Sequence, residues 1–114
     1  MVYRLEDLEK PFTGPGAKSH GGSRALGIAC TAVNSVIVLD SNSNRKRATF
    51  VNDSVEDIYL SKGPLAAVNT GILLVAAGGA WTLEPTTTGY MWYGEISAIG
   101  GAGAALNLCV TEDW

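Results

Sequence analysis

From Ala25 onward the chain is cut into short runs of β-forming residues, spaced about ten residues apart with a turn signal between them. The runs are "LGIACTAV" (26–33), "SVIVLD" (35–40), "RKRATFVN" (45–52), "EDIYLSK" (56–62), "ILLVA" (72–76), "AWTLE" (80–84), "YMWYGEISAI" (90–99) and "AALNLCVTE" (104–112). Regular spacing of this kind marks an antiparallel sandwich or barrel. No segment after residue 24 reads as a helix. The expected fold is therefore all-β: a compact antiparallel β-sandwich or barrel of about eight short strands over residues 25–114.

Side-chain alternation assigns faces within the runs. Leu106, Leu108 and Val110 face one way in the last run, and Trp81 and Leu83 share a side of the sixth. In "YMWYGEISAI", read as the longest strand, Tyr90, Trp92, Gly94 and Ile96 share a face. The stretch "RKRATFVNDSVEDIYLSKG" (45–63) holds two β-patterned runs separated by Asn52, Asp53 and Ser54, residues that satisfy turn backbones with their own side chains. It reads as a β-hairpin, with the Arg45-Lys46-Arg47 run on an edge strand where bases discourage stray pairing.

Residues 1–24 differ. Val2, Tyr3, Leu5 and Leu8 could line a helical turn or two, but Pro11, Pro15 and four glycines between Gly14 and Gly22 then interrupt any regular element. So short a helix is marginal alone in water, and the segment is expected to be an extended N-terminal arm.

A chain of 114 residues fits one domain, hiding roughly 65% of the surface that its unfolded form exposes. The net charge of -3 argues against nucleic acid as a partner, since binding phosphates calls for a surplus of Lys and Arg on one face. No apolar run is long enough to span a bilayer, so no membrane partner is expected. The N-terminal residues lack the apolar segment of a signal peptide, which makes the cytoplasm the default compartment. A bridge between Cys30 and Cys109 would stabilise the fold by roughly 4 kcal/mol through loop entropy. Two free buried thiols fit a reducing compartment better.

Little in the sequence points to catalysis. "GPGAKS" (14–19) lacks the glycine before its lysine that a phosphate-binding loop needs. His20 lies in the arm with nothing nearby in sequence to orient it as a base. Asp53, Glu56 and Asp57 cluster, yet without calcium-loop spacing, and read as turn caps. Two cysteines without CxxC spacing and one histidine do not make a zinc site. No catalytic, metal-binding or cofactor-binding residue and no cofactor is expected, and the chain reads as a non-enzyme. Trp81, Trp92, Tyr90 and Tyr93 suit core or interface anchoring, with a sugar-stacking platform as the alternative.

Taken from residue 47 on, the pattern of "NDS" (52–54), "IYLS.G..A..N.GI.L" (58–74), Gly78-Gly79, a glycine-containing strand around Gly94 and "G...L.VTE" ending at Glu112 resembles one found in small virion proteins of tailed bacteriophages. The resemblance covers roughly the last 70 residues and implies a capsid decoration (cement) protein. Such a protein binds the assembled head at subunit junctions. It further implies a homotrimer, a major capsid protein as partner, and a place on the virion surface after synthesis in the host cytoplasm. A tail, neck or fibre component is the alternative in the same class, and a carbohydrate-binding module the alternative outside it. On this reading, partner contacts are expected from Val2, Tyr3, Leu5, Leu8 and Phe12 in the arm and from Arg45, Arg47, Trp81 and Trp92 in the domain.

Overall fold

The structure is a computed structural model, and it describes residues 22–103 and 106–114. Eight strands follow one another: β1 (Ser23–Cys30), β2 (Val36–Leu39), β3 (Arg47–Asn52), β4 (Ile58–Lys62), β5 (Ile72–Leu74), β6 (Ala80–Leu83), β7 (Ile96–Gly100) and β8 (Leu106–Asp113). They form two four-stranded antiparallel sheets, β1-β8-β3-β6 and β2-β7-β4-β5. The described residues are all-β, as the run spacing requires, and the architecture is the sandwich of the two options. β1 begins at Ser23, so Ser23 and Arg24 belong to the domain rather than to the expected arm. Residues 1–21 lie outside the described residues.

The pairing is nested. β1 pairs with β8, β2 with β7, β3 with β6 and β4 with β5, as though one long hairpin had been rolled up, and successive strands switch sheets everywhere except between β4 and β5. This is the jelly-roll topology. It corrects the hairpin expected over residues 45–63: β3 and β4 lie in opposite sheets, and residues 53–57 carry the chain across the core. It also removes Arg47 from an edge, because β3 is flanked by β8 and β6.

The core lies between the sheets and is built by alternation. Leu106, Leu108 and Val110 of β8, Ala48 and Phe50 of β3, Ile58 and Leu60 of β4, and Ile96 and Ala98 of β7 are buried there. Each large side chain contributes about 1.5–3 kcal/mol by leaving water. Trp81 stacks on Phe50 with ring centroids 5.6 Å apart, closing the β6 side of the core. β7 is buried on both faces because the β4–β5 loop folds over its outer side: the Ala66 N–H donates to Ser35 Oγ (2.8 Å) and Tyr59 Oη to Asn69 Oδ1 (3.0 Å). Gly71 is required where this loop returns, since it has φ +81° and a Cβ there would collide with the Leu60 carbonyl.

Both thiols are free. Cys30 faces the core beside Leu106, whereas Cys109 is half-buried on the outer face of β8 between Gly27 and Val51. Their side chains leave the sheet in opposite directions, so no bridge can form.

The expected long strand over 90–99 shrinks to Ile96–Gly100. Residues 90 and 92–95 satisfy their carbonyls outside any ladder, that of Tyr90 by the Thr86 N–H. The Trp92 and Gly94 carbonyls accept from Arg45, that of Tyr93 from the Asn42 N–H, and that of Glu95 from the Gly63 N–H and Trp92 Nε1.

Candidate functional site

The sandwich has two unlike ends. The proximal end, where Gly22 and Trp114 exchange backbone hydrogen bonds, gathers residues 40–46 and 84–95 and the start and finish of the β4–β5 loop; the distal end gathers residues 31–35, 53–57, 75–79 and 101–103. Among the described residues every base, namely Arg24, Arg45, Lys46, Arg47 and Lys62, falls at the proximal end. The distal loops carry only acids: Asp53, Glu56 and Asp57.

Arg45 organises the proximal end. Its side chain is fully buried, with Nε 2.8 Å from Glu112 Oε2. Nη1 donates to the carbonyls of Trp92 (3.0 Å) and Gly94 (3.1 Å), and Nη2 to that of Asp40 (2.6 Å). Glu112, at the core-facing end of β8, is held further by Asn42 Nδ2 (3.3 Å) and Arg24 Nε (3.4 Å). The planar fork of a guanidinium suits this work, since one side chain can tie a strand and two loops together. Arg45 is thus corrected from a partner contact to an internal clamp, because no part of it is left at the surface. Arg47 is exposed and lies 3.5 Å from Asp113 Oδ2, while Asp113 Oδ1 accepts from Ser23 Oγ. These groups border a shallow cleft with Lys46, Glu84 and Pro85. Trp81 and Trp92 are half-buried, the first stacked on Phe50 and the second packed against the core with its N–H donated to the Glu95 carbonyl. Exposed aromatic surface here comes instead from Tyr90 and Tyr93, with the Lys62 ammonium over the Tyr90 ring at 5.7 Å.

The distal end is organised by Asn52. The residue is fully buried, and its Nδ2 donates to the carbonyls of Glu56 (2.8 Å) and Leu74 (2.9 Å) while its Oδ1 accepts from Ser54 Oγ. Its backbone bonds Gly78 and Gly79, and Asp57 Oδ1 accepts from the Ala76 N–H (2.9 Å). The "NDS" signal is therefore a buried keystone between two loops. Further backbone bonds join Ala77 to Ser54, Gly101 to Asp57 and Ala32 to Gly103, so all four loops are cross-linked. On three of them a valine stands out in water: Val33 (78% exposed), Val55 (83%) and Val75 (53%). Burial in the free chain does not hold these side chains.

The described residues contain no group of three or more potential metal ligands. Burial pushes the Cys30 thiol above its ordinary pKa, which leaves it a weak nucleophile. Comparison with protein-family models, curated proteins and solved structures finds no match. Val2, Tyr3, Leu5, Leu8, Phe12, Lys18 and His20 lie outside the described residues. Sequence reasoning missed Glu112 as the partner of Arg45 and missed the distal valines. Only the polar residue in an otherwise apolar register, after Leu106, Leu108 and Val110, signalled the first.

Proposed function

We propose that this chain is a virion structural protein, a decoration protein that seats on an assembled bacteriophage capsid and stabilises it. The observation that carries the reading is the distal end, a set of mutually bonded loops with three exposed valines and only acidic charge. Such a surface needs no rearrangement to bind and fits an apolar, basic patch of a neighbour, here the major capsid protein. The jelly roll is a fold that viral shells use, though it also serves lectins and cupins, so the surface and the resemblance carry more weight than the topology. A protein that binds only the assembled lattice stabilises it by RT ln(1 + [L]/Kd).

The test is to add the purified protein to heads lacking it, measure occupancy and heat the particles. Saturable binding at fixed copy number and a higher rupture temperature support the reading. The double variant Val33→Lys/Val55→Lys should fold normally and lose occupancy. Failure of the unaltered protein to bind heads, or unchanged binding by the variant, would refute it, and binding to purified tails alone would move it to the tail or neck.

A further inference from the structure

Of the four edge strands, three are blunted. β5 has 3 residues and β6 has 4; β2 has 4, with a register shift between Ile37 and Leu39. Short or bulged edges discourage pairing with other chains. β1 is the exception, with 8 residues in unbroken register against β8 and, among the described residues, nothing on its other side.

The register shows which of its backbone groups are free. Gly22 and Trp114 exchange both backbone hydrogen bonds, so hydrogen-bonded and non-bonded pairs alternate from there. Ser23, Ala25, Gly27 and Ala29 consequently aim their N–H and C=O groups away from β8, out of the sheet edge. Their side chains are small and lie on the outer face. Arg24, Leu26, Ile28 and Cys30 face inward, yet Leu26 is 41% exposed because the opposite sheet does not cover it.

We propose that β1 pairs antiparallel with β1 of a second copy, about a two-fold axis through Gly27, joining two four-stranded sheets into one of eight. In that register Gly27 lies opposite Gly27 and Ala25 opposite Ala29, all with free edge groups, so the seam is hydrogen-bonded. Leu26 then lies opposite Ile28 on the core side, twice, covering the apolar surface the monomer leaves wet. The only charge on the strand is Arg24, which is already directed to Glu112. The two Arg24 residues would stand about 20 Å apart, beyond the screening length at physiological salt. An edge of this length covers less than the ~800 Å² per partner of a standard interface, so the dimer is reversible and concentration-dependent. This inference does not rest on the capsid reading.

Ala25→Pro in the full chain tests it. The Ala25 N–H serves no bond to β8, so proline there spares the monomer while deleting two seam donors per dimer. Analytical ultracentrifugation over a dilution series should show a monomer–dimer equilibrium whose dissociation constant rises roughly thirtyfold in the variant, two bonds of about 1 kcal/mol each. Ala29→Pro removes the reciprocal donors and should do the same, and an unchanged melting temperature at low concentration certifies the fold of either. In hydrogen exchange, the Gly27 amide should gain protection as concentration rises. A monomer at every concentration, an assembly that neither proline weakens, or Gly27 protection independent of concentration would overturn the proposal; the last would place another segment of the same chain on the edge.

Discussion

Replacing Arg45 by Met keeps the length and apolar stem of the side chain but removes its charge and all its donors. Glu112, 2% exposed, then keeps only Asn42 and the half-exposed Arg24 as partners, and the carbonyls of Asp40, Trp92 and Gly94 lose theirs. Breaking a buried pair from one side costs about 3–5 kcal/mol, because the surviving charge stays out of water. Domains of this size have about 5–15 kcal/mol in total. With a urea slope of about 2 kcal/mol/M, Arg45→Met should lower the unfolding midpoint, followed by circular dichroism, by about 2 M. Arg45→Lys should fall between, since an ammonium cannot span the guanidinium fork. The double variant Arg45→Met/Glu112→Leu should recover at least half of the loss, as it leaves no uncompensated charge. A midpoint shift below about 0.5 M for Arg45→Met, or simple additivity of the two single variants, would refute the assignment of Arg45 as the clamp.

Asn52→Ala should cost about 2–3 kcal/mol in the same assay, because it strips the Glu56 and Leu74 carbonyls of their donor in a buried site. Ser97 is fully buried and its hydroxyl has no partner among the described residues, so Ser97→Ala should stabilise by about 1 kcal/mol, and a loss would point to a hidden partner. The Cys30 thiol keeps its proton to higher pH in the folded chain than in the unfolded one. Its contribution to stability is therefore complete below the ordinary thiol pKa and declines as pH rises through that value; Cys30→Ser should flatten the alkaline limb of a stability–pH curve. In native protein a thiol reagent should modify Cys109 well before Cys30.

Strand positions were largely legible because they depend on local alternation and turn residues. The faces assigned in the last run, with Leu106, Leu108 and Val110 inward, hold in the structure. Which sheet each strand joins was not legible. Two β-runs flanking Asn52-Asp53-Ser54 look alike whether they form a hairpin or cross a sandwich, and the choice is made by β8 and β7, far away in sequence. Arg45 was misplaced for the same reason: beside "SNSN" and before Lys46 it reads as solvated, and its partner is 67 residues away. Residues 90–95 kept a strand-like alternation, but the carbonyls of residues 92–95 found donors in Arg45, Asn42 and Gly63 before any ladder could claim them.

The nested pairing also explains why polar clamps sit at both ends of an apolar core. In a rolled-up hairpin nearly all strand contacts are distant in sequence, so loop-closure entropy is paid before burial repays it, and hydrophobic contact alone tolerates slipped registers. A slip of one residue in β8 would turn Leu106, Leu108 and Val110 outward and strand Glu112 away from Arg45. A slip of two would restore the apolar face and still break the ion pair. A slip of two by β3 along β8 would likewise preserve alternation yet part Asn52 from the Glu56 and Leu74 carbonyls. The two buried polar centres thus penalise the registers that apolar alternation cannot tell apart, one at each end of the sandwich.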